Sequence, residues 1–127
     1  MRTIKSINEL KIPSDYKAYI SAFLKNLSAV PFISRVILFG SCARKEVTEY
    51  SDIDIFITVT RQISETEEMF VACDCRPPYS PNTLPLDVLV QPEELFQQYT
   101  DTFGAVQKQV ERYGVDLSES LSKRPRN

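Results

Sequence analysis

Apolar positions recur at helical spacing in the first quarter of the chain. A helix is predicted to begin at Ser14 or Asp15, where a short polar side chain can cap the first turn, and to end before Pro31. Its apolar stripe is interpreted as core packing and consists of Tyr16, Tyr19, Ile20, Phe23, Leu24 and Leu27. Residues 1–13 lack such a pattern and are interpreted as a lead-in.

Short apolar runs rich in β-branched residues predict strands further along the chain. The predicted strands cover 35–39, 52–60 and 86–90, with a short edge strand at 115–117. In the second run, Ile53, Ile55 and Ile57 occupy one face, and Asp52 and Asp54 occupy the other. The face with the isoleucines is therefore expected to be the buried one.

Helix signals lie between and after these strands. A short helix is predicted at 42–45, and a capping box at Ser64 and Glu67 predicts a helix over 64–73. Pro92 opens a further helix, and a last one is predicted from the stripe Phe103, Val106, Val110 and Tyr113, with Gly114 as its terminator. Residues 76–85 hold four of the eight prolines and are predicted to be a loop. The order α-β-α-β-α-β-α-α indicates one domain that mixes helices and strands.

Length, charge and composition exclude several classes of protein. The 127 residues allow one domain, which we place at 1–117, followed by a polar tail at 118–127 that we expect to be disordered. The formal net charge of −2 argues against a nucleic-acid platform, because such proteins usually carry a clustered basic excess. The chain has no histidine, which excludes Ser-His-Asp triads and the common zinc sites.

The cysteines and the hydropathy pattern bear on localisation. Three cysteines form no even disulfide framework, so we interpret Cys42, Cys73 and Cys75 as free thiols in a reducing cytoplasm. No signal peptide and no membrane-spanning apolar run is visible. We therefore expect a soluble, cytoplasmic protein without a membrane partner.

The paired acids of the second strand are the strongest chemical signal. Side chains two apart on a strand share a face about 7 Å apart, so Asp52 and Asp54 can converge on one cation. Two close anions repel each other unless a cation or a proton neutralises them. Magnesium prefers such hard oxygen ligands and phosphates. The pair therefore predicts a magnesium site.

Asp87 stands alone between Leu86 and Val88 in an apolar strand. If its strand lies beside the second one, Asp87 faces the same spot as Asp54. Burial of a lone carboxylate is costly unless it is paired or bound to a metal. The alternative is a hydrated carboxylate at a strand edge, and the strand by itself leaves both interpretations open.

Gly40 and Ser41 end the first strand and precede the predicted short helix. A glycine allows the backbone to approach an anion closely, and the following N–H groups can donate to phosphate oxygens. Ser41 adds a hydroxyl, and Arg44 and Lys45 add positive charge. Most Gly-Ser pairs after strands are simple turns, so this signal alone is weak.

Together these runs resemble a known family signature. Phe39-Gly40-Ser41, followed after a spacer by Asp52-Ile53-Asp54-Ile55, is similar to the signature of the polymerase-β-like nucleotidyltransferase superfamily. The stretch Gly40-Ser41-Cys42-Ala43-Arg44 resembles the version in minimal nucleotidyltransferases, and Leu86-Asp87-Val88 matches the third acid of the superfamily. The resemblance spans roughly residues 14–117. It implies an α+β, polymerase-β-like nucleotidyltransferase fold with a small mixed sheet flanked by helices.

The resemblance also implies a reaction. Two Mg²⁺ ions would be held by Asp52, Asp54 and Asp87, and Asp87 would also be the candidate base. Gly40 and Ser41 would bind the β- and γ-phosphates of a nucleoside triphosphate. AMP would pass from ATP to a hydroxyl acceptor, with pyrophosphate as the second product. One departure is Lys45, which stands where the family usually has glycine. If that glycine adopts a positive φ, lysine in its place would be strained. The two interpretations left open are a different local turn and a Lys45 side chain that reaches the triphosphate.

The acceptor is the open question. No residues remain after about 117 for an acceptor-binding helical domain, so we expect a protein partner to supply the acceptor. Small domains that resemble this one are often antitoxins that AMPylate a tyrosine of a HEPN-type toxin. The alternatives are a non-catalytic nucleotide-binding interaction module and a small-molecule nucleotidyltransferase that completes its site across a homodimer.

Overall fold

A five-stranded sheet organises the computed structural model, which describes residues 1–44, 46–48, 51–78 and 84–121. Its strands are β1 (Arg2–Thr3), β2 (Ile33–Phe39), β3 (Ile53–Val59), β4 (Leu86–Pro92) and β5 (Val115–Asp116). Their order across the sheet is β1-β5-β2-β3-β4. β2 runs antiparallel to both β3 and β5, whereas β3 and β4 are parallel, as are β1 and β5. The predicted α+β fold with a small mixed sheet flanked by helices is confirmed.

The helices follow the predicted order. They are α1 (Ser14–Leu27), α2 (Glu65–Met69), α3 (Glu93–Gln98) and α4 (Val106–Tyr113). The capping box of α2 is confirmed, because Glu67 N donates to Ser64 Oγ at 3.1 Å and Ser64 N donates to Glu67 Oε1 at 3.0 Å. α2 then widens into a π-helical turn over Phe70–Asp74. No helix in the described ranges has the length and apolar content needed to cross a bilayer.

The start of α1 differs from the prediction. The helix begins at Ser14, Pro13 takes the cap position, and neither Ser14 nor Asp15 caps the turn with its side chain. Asp15 Oδ1 instead accepts a hydrogen bond from Tyr16 N at 3.0 Å, inside the first turn. Proline suits the cap because it presets its own backbone angle and has no N–H to satisfy.

The larger core lies between α1 and one face of the sheet. All six predicted stripe residues of α1 are buried. They pack with the inward-facing strand residues, which are Ile33, Val36, Leu38, Ile53, Ile55, Ile57 and Val59. The prediction that the isoleucines of β3 fill the buried face is confirmed, since each of the three is 0% exposed.

A second, smaller core lies under α3 and α4 on the opposite face. This core consists of Ile37, Phe56, Phe96 and Val110. The last predicted helix is confirmed as α4, but it begins at Val106, after Phe103. Phe103 lies outside α4 and is 95% exposed, and Tyr113 is 48% exposed. Val110 is therefore the stripe residue that is buried in this core. α4 is short and meets the sheet through one turn, which leaves its ends without a surface to cover.

Gly114 ends α4 as predicted, but for a different reason. Its φ is −68°, so no left-handed conformation is required. A Cβ at this position would collide with the carbonyl oxygen of Val110 and lie 2.7 Å from Cγ2 of Ile37. Glycine is therefore needed for close approach of the chain to the sheet.

The predicted short strand near the C-terminus is present as β5, but residues 1–13, interpreted as a lead-in, also join the sheet through β1. β5 lies between β1 and β2 rather than at an edge, because Arg2 pairs with Val115. The predicted disordered tail also begins too early. Ser118–Ser120 form a 3₁₀ turn, Val36 N donates to Ser118 Oγ at 2.9 Å, and Leu121 packs against the larger core. Residues 122–127 lie outside the described residues.

Candidate functional site

Rows of side chains cross β2, β3 and β4 on the face that α3 and α4 partly cover. Phe39 pairs with Asp54 across β2 and β3, and Asp54 pairs with Asp87 across β3 and β4. The next row along the strands, toward α3, consists of Ile37, Phe56 and Leu89. Neighbouring strands lie about 4.8 Å apart. The structure therefore makes Asp54 and Asp87 direct neighbours, a placement that the strand by itself left open and that the family resemblance implied.

Asp52 lies one residue before β3, which begins at Ile53 rather than at Asp52. Both Asp52 and Asp87 are exposed, whereas Asp54 between them is half-buried. Burial raises the pKa of Asp54, and the negative charges of Asp87 and Asp52 raise it further. Arg44 opposes this rise with its positive charge but does not reverse it. The three carboxylates thus form a centre of negative charge that the described side chains do not neutralise.

Gly40 gives Asp54 the room that it occupies. β2 ends at Phe39, and a 3₁₀ turn over Gly40–Cys42 follows with Gly40 at φ +72°. A Cβ on Gly40 would overlap Oδ2 of Asp54. Gly40 therefore lies against the carboxylate of Asp54, and the contact with phosphate that the sequence predicts for Gly40 stays a prediction. Glycine is required here for two reasons: the backbone has a positive φ, and a Cβ would overlap the Asp54 side chain.

The turn after Gly40 carries the other predicted site residues. Arg44 N donates to Gly40 O at 3.1 Å and closes the turn. Ser41 is half-buried, and its carbonyl oxygen accepts from Glu46 N at 3.0 Å. The exposed Arg44 side chain forms an ion pair with Glu46 at 3.7 Å. Lys45 lies outside the described residues.

Two anchors of Asp52 were not recognised from the sequence. Tyr16 of α1 donates its hydroxyl to the carbonyl oxygens of Ser51 at 2.8 Å and Thr48 at 3.3 Å. Cys42 Sγ donates weakly to the Asp52 carbonyl oxygen at 3.5 Å. Burial, with Asp54 and then Asp52, raises the pKa of Cys42 to about 11, so its thiol keeps the proton that it donates. A buried tyrosine hydroxyl needs a partner, which was the available signal for Tyr16.

The donor set fits a magnesium ion, although a closed metal cage is not preformed. In the described part of the chain, no group of three or more Asp, Glu or Cys side chains already stands in a metal-binding arrangement. Asp54 nevertheless pairs with Asp87 across the strands, and Asp52 is close enough to act on the charge of Asp54. Carboxylates are the hard oxygen ligands that magnesium takes alongside phosphate oxygens. Burial, with Asp87 and then Asp52, raises the pKa of Asp54, and a cation bound beside it would favour the ionised carboxylate.

Comparison with known proteins identifies the class. The sequence profile of the nucleotidyltransferase domain family matches residues 18–125, so the chain belongs to this family. This confirms the nucleotidyltransferase resemblance and indicates a transferase that uses a nucleoside triphosphate.

One solved structure illustrates how far the likeness extends. It is the 1.40 Å crystal structure of a Sulfolobus solfataricus protein proposed to be a nucleotidyltransferase. The two share 22% identity over 69% of this chain and 82% of that chain, with a TM-score of 0.46. No curated protein sequence matches the chain.

Proposed function

We propose that this chain transfers AMP from ATP to a hydroxyl acceptor, with Asp52, Asp54 and Asp87 as ligands for two Mg²⁺ ions. The observation that carries the proposal is the pairing of Asp54 with Asp87 beside the positive-φ Gly40. Bound magnesium would offset the charge of the triphosphate and of the departing pyrophosphate. The uncompensated charge around Asp54 supports this assignment.

The protein residues divide the remaining work. The turn that starts at Gly40 and Ser41 donates to the β- and γ-phosphates, and Arg44 and Lys45 add positive charge. Asp87 accepts the proton of the acceptor hydroxyl, and the acceptor oxygen then attacks the α-phosphorus. The bond from the α-phosphorus to the oxygen that bridges it to the β-phosphorus breaks. That oxygen leaves as part of pyrophosphate.

The acceptor in this proposal is a tyrosine on a HEPN-type toxin, with the chain as its antitoxin. The exposure of Asp52 and Asp87 supports an acceptor carried by another protein, because a bulky partner can reach them from solvent. The choice of a HEPN-type partner rests on the resemblance to minimal nucleotidyltransferases described above.

The test uses ATP labelled either at the α- or at the γ-phosphorus. The purified chain is incubated with magnesium and with the product of the adjacent gene. Label from the α-phosphorus is expected on the neighbour and label from the γ-phosphorus in pyrophosphate. Asp87→Ala should abolish transfer and retain most of the nucleotide binding. Asp101→Ala, which removes an exposed acid on the turn between α3 and α4, is the matched control and should transfer normally.

Other outcomes identify the alternatives. No label on a folded neighbour would exclude the toxin partner. Nucleotide binding without transfer to any acceptor, unaffected by Asp52→Asn, would indicate a non-catalytic interaction module. Label on a small hydroxylated acceptor would indicate a small-molecule transferase. Normal transfer by Asp87→Ala would show that Asp87 is neither the base nor a required ligand.

A further inference from the structure

Asp52 differs from the other two acids of the site in how its backbone is held. Asp54 and Asp87 are paired in the ladder between β3 and β4, which fixes the course of both strands. The pairing between these strands starts at Ile53, one residue after Asp52. The Asp52 side chain is exposed, so packing does not fix it either. Its position therefore depends on the two peptide groups that flank its α-carbon.

The peptide group after Asp52 is held at both of its ends. Ile53 N donates to Pro85 O at 2.8 Å. Cys42 Sγ donates weakly to the Asp52 carbonyl oxygen at 3.5 Å. Because a peptide group is planar, contacts to its N–H and its C=O together fix its orientation. The peptide group before Asp52, which joins it to Ser51, is then the one that decides how the chain enters the site.

Tyr16 holds that preceding peptide group. Its hydroxyl donates to the Ser51 carbonyl oxygen at 2.8 Å, whereas the Thr48 carbonyl oxygen lies further away at 3.3 Å. A phenol has one proton, and O–H···O bonds are usually no longer than about 3.0 Å, so the bond to Ser51 is the stronger. The Ser51 carbonyl lies in the same plane as Asp52 N. The Tyr16 hydroxyl thus orients the backbone at Asp52 from one side.

Both partners of this hydrogen bond are themselves held in place. Tyr16 is 2% exposed and belongs to the larger core. Ser51 is tied to Thr48, because Ser51 N donates to Thr48 O at 3.1 Å and Thr48 N donates to Ser51 Oγ at 2.8 Å. A hydrogen bond between two well-held groups fixes the position of one relative to the other. It connects α1 to the segment that presents Asp52.

The competing interpretation is that the hydroxyl serves the fold alone. A buried tyrosine hydroxyl needs a partner wherever it lies. Against this, the acceptor of Tyr16 is the carbonyl directly before a site acid, 35 residues further along the chain. Groups that hold a metal ligand from behind typically contribute tenfold or more to metal affinity. The two interpretations therefore differ in a measurable quantity, the affinity of the folded chain for the ion.

We propose that Tyr16 is a positioning residue of the carboxylate site. Its hydroxyl, through the Ser51 carbonyl, holds Asp52 where it binds the same ion as Asp54. The helix α1, which carries none of the three acids, thereby contributes to metal binding. This role rests on the metal site of the proposed function, whereas the hydrogen bond behind it can be tested without any ligand.

Tyr16→Phe is the test, because it removes the hydroxyl and keeps the ring in the core. Mn²⁺, which takes the same carboxylate ligands as Mg²⁺ and is visible by electron paramagnetic resonance, is titrated into the full chain. Its affinity is expected to fall about tenfold. In the absence of metal, the Ser51 amide should exchange faster with solvent. The melting temperature should fall by no more than about 4 °C, so both chains are compared in the folded state.

Two further variants separate positioning from a general effect on the fold. Tyr19→Phe removes the same atom from the next buried tyrosine of α1, and should change neither the Mn²⁺ affinity nor the exchange of the Ser51 amide. Asp52→Asn is combined with Tyr16→Phe. If Tyr16 acts through Asp52, the double variant should bind Mn²⁺ no more weakly than Asp52→Asn alone.

The outcomes distinguish this role from the proposed function. An Mn²⁺ affinity that falls with Asp52→Asn but not with Tyr16→Phe would overturn the role of Tyr16 and leave the metal site intact. Additive losses in the double variant would show that Tyr16 acts on the fold and would also overturn its role. A wild-type chain that binds no Mn²⁺ would overturn the metal site itself, and the positioning role with it.

Discussion

Two acidic residues on the same face of the sheet, Glu93 and Asp54, have opposite electrostatic surroundings. Burial raises the pKa of Glu93, but hydrogen bonds from Arg35 and Gln97 outweigh it and leave the pKa lowered. Burial also raises the pKa of Asp54, and there the nearest charges are two more carboxylates. One acid is neutralised by the chain itself, and the other is not.

The Glu93 end of this face is a closed structural network. Arg35 pairs with Glu93 through two hydrogen bonds, from Nε at 2.5 Å and from Nη2 at 2.7 Å. The guanidinium lies 5.1 Å from the centre of the Phe96 ring, and Thr58 donates to the same carboxylate at 3.1 Å. A satisfied carboxylate of this kind stabilises the fold. A half-buried carboxylate such as Asp54, whose nearest charges are also negative, is instead typical of a functional site.

Asp54→Asn should produce the largest change. Nucleotidyl transfer is expected to fall about a thousandfold or more, equivalent to roughly 4 kcal/mol of transition-state stabilisation. Without magnesium, the free energy of unfolding should rise, because the substitution removes a charge that its neighbours repel. Transfer assays and urea denaturation measure the two effects. A variant that loses stability would contradict the view that Asp54 is uncompensated.

Glu93→Gln should lower stability and leave transfer unchanged, which is the reverse of the effects expected for Asp54→Asn. Loss of the paired charge leaves Arg35 without its carboxylate, and the free energy of unfolding is expected to fall by about 2 kcal/mol. Transfer measured at a temperature where the variant is folded should be unchanged. Glu94→Gln, at the exposed neighbouring position in α3, is the control and should be neutral. If both variants lose equal stability, the Arg35 network is not the cause.

Added magnesium should stabilise the chain through Asp54 and not through Glu93. A ligand that binds the folded state at about ten times its dissociation constant stabilises it by about 1.4 kcal/mol. Thermal unfolding of the wild-type chain and of Glu93→Gln should therefore shift upward with magnesium, while Asp54→Asn should respond little. Calcium chloride at equal ionic strength controls for size selectivity. A shift of the same size in Asp54→Asn would place the ion elsewhere.

The pH dependence of stability is the smallest expected effect. Because the folded-state pKa of Glu93 is below the unfolded value of 4.5, its stabilisation is present above that value and is lost as pH falls through the folded-state pKa. The difference in unfolding free energy between wild type and Glu93→Gln should therefore shrink from about pH 6 to about pH 3. Urea titrations at several pH values measure it. A difference that grows on acidification would mean that the pKa of Glu93 is raised.

The helices and strands whose apolar residues recur at regular spacing were the predictable part of the fold. α1 and the three long strands follow from the spacing of apolar residues, and the buried face of β3 follows from its isoleucines. The two-residue strand β1 is too short to show any period. β5 was predicted as a short edge strand, but its place between β1 and β2 is fixed by contacts between distant parts of the chain. The helix α4 was predicted from its apolar spacing, but the exposure of Phe103 and Tyr113 was not, because helical spacing does not show how much surface is available to cover.

The carboxylates of the site could be predicted from the sequence, but most of the contacts that hold the surrounding segments in place could not. Alternation gave Asp52 and Asp54, and only the family resemblance placed Asp87 beside them. The hydrogen bonds from Tyr16 to the carbonyl oxygens of Ser51 and Thr48, just before Asp52, were not predicted, because an apolar stripe does not show where a hydroxyl points. The Arg35–Glu93 pair likewise depends on the packing of α3 against β2 and β3, which no local pattern encodes.

The parallel pairing of β3 with β4 has a kinetic consequence. Asp54 and Asp87 meet only after the crossover through α2 has closed, and parallel pairs of this kind form slowly because their contacts are non-local. β4 is also held by one neighbouring strand in the described sheet, so its release costs less than global unfolding. Denaturant should therefore abolish catalysis before it melts α1. The inactive species would be a chain that keeps the packing of α1 against β2 and β3 and has one detached strand, with Leu86, Val88 and Val90 withdrawn from the larger core.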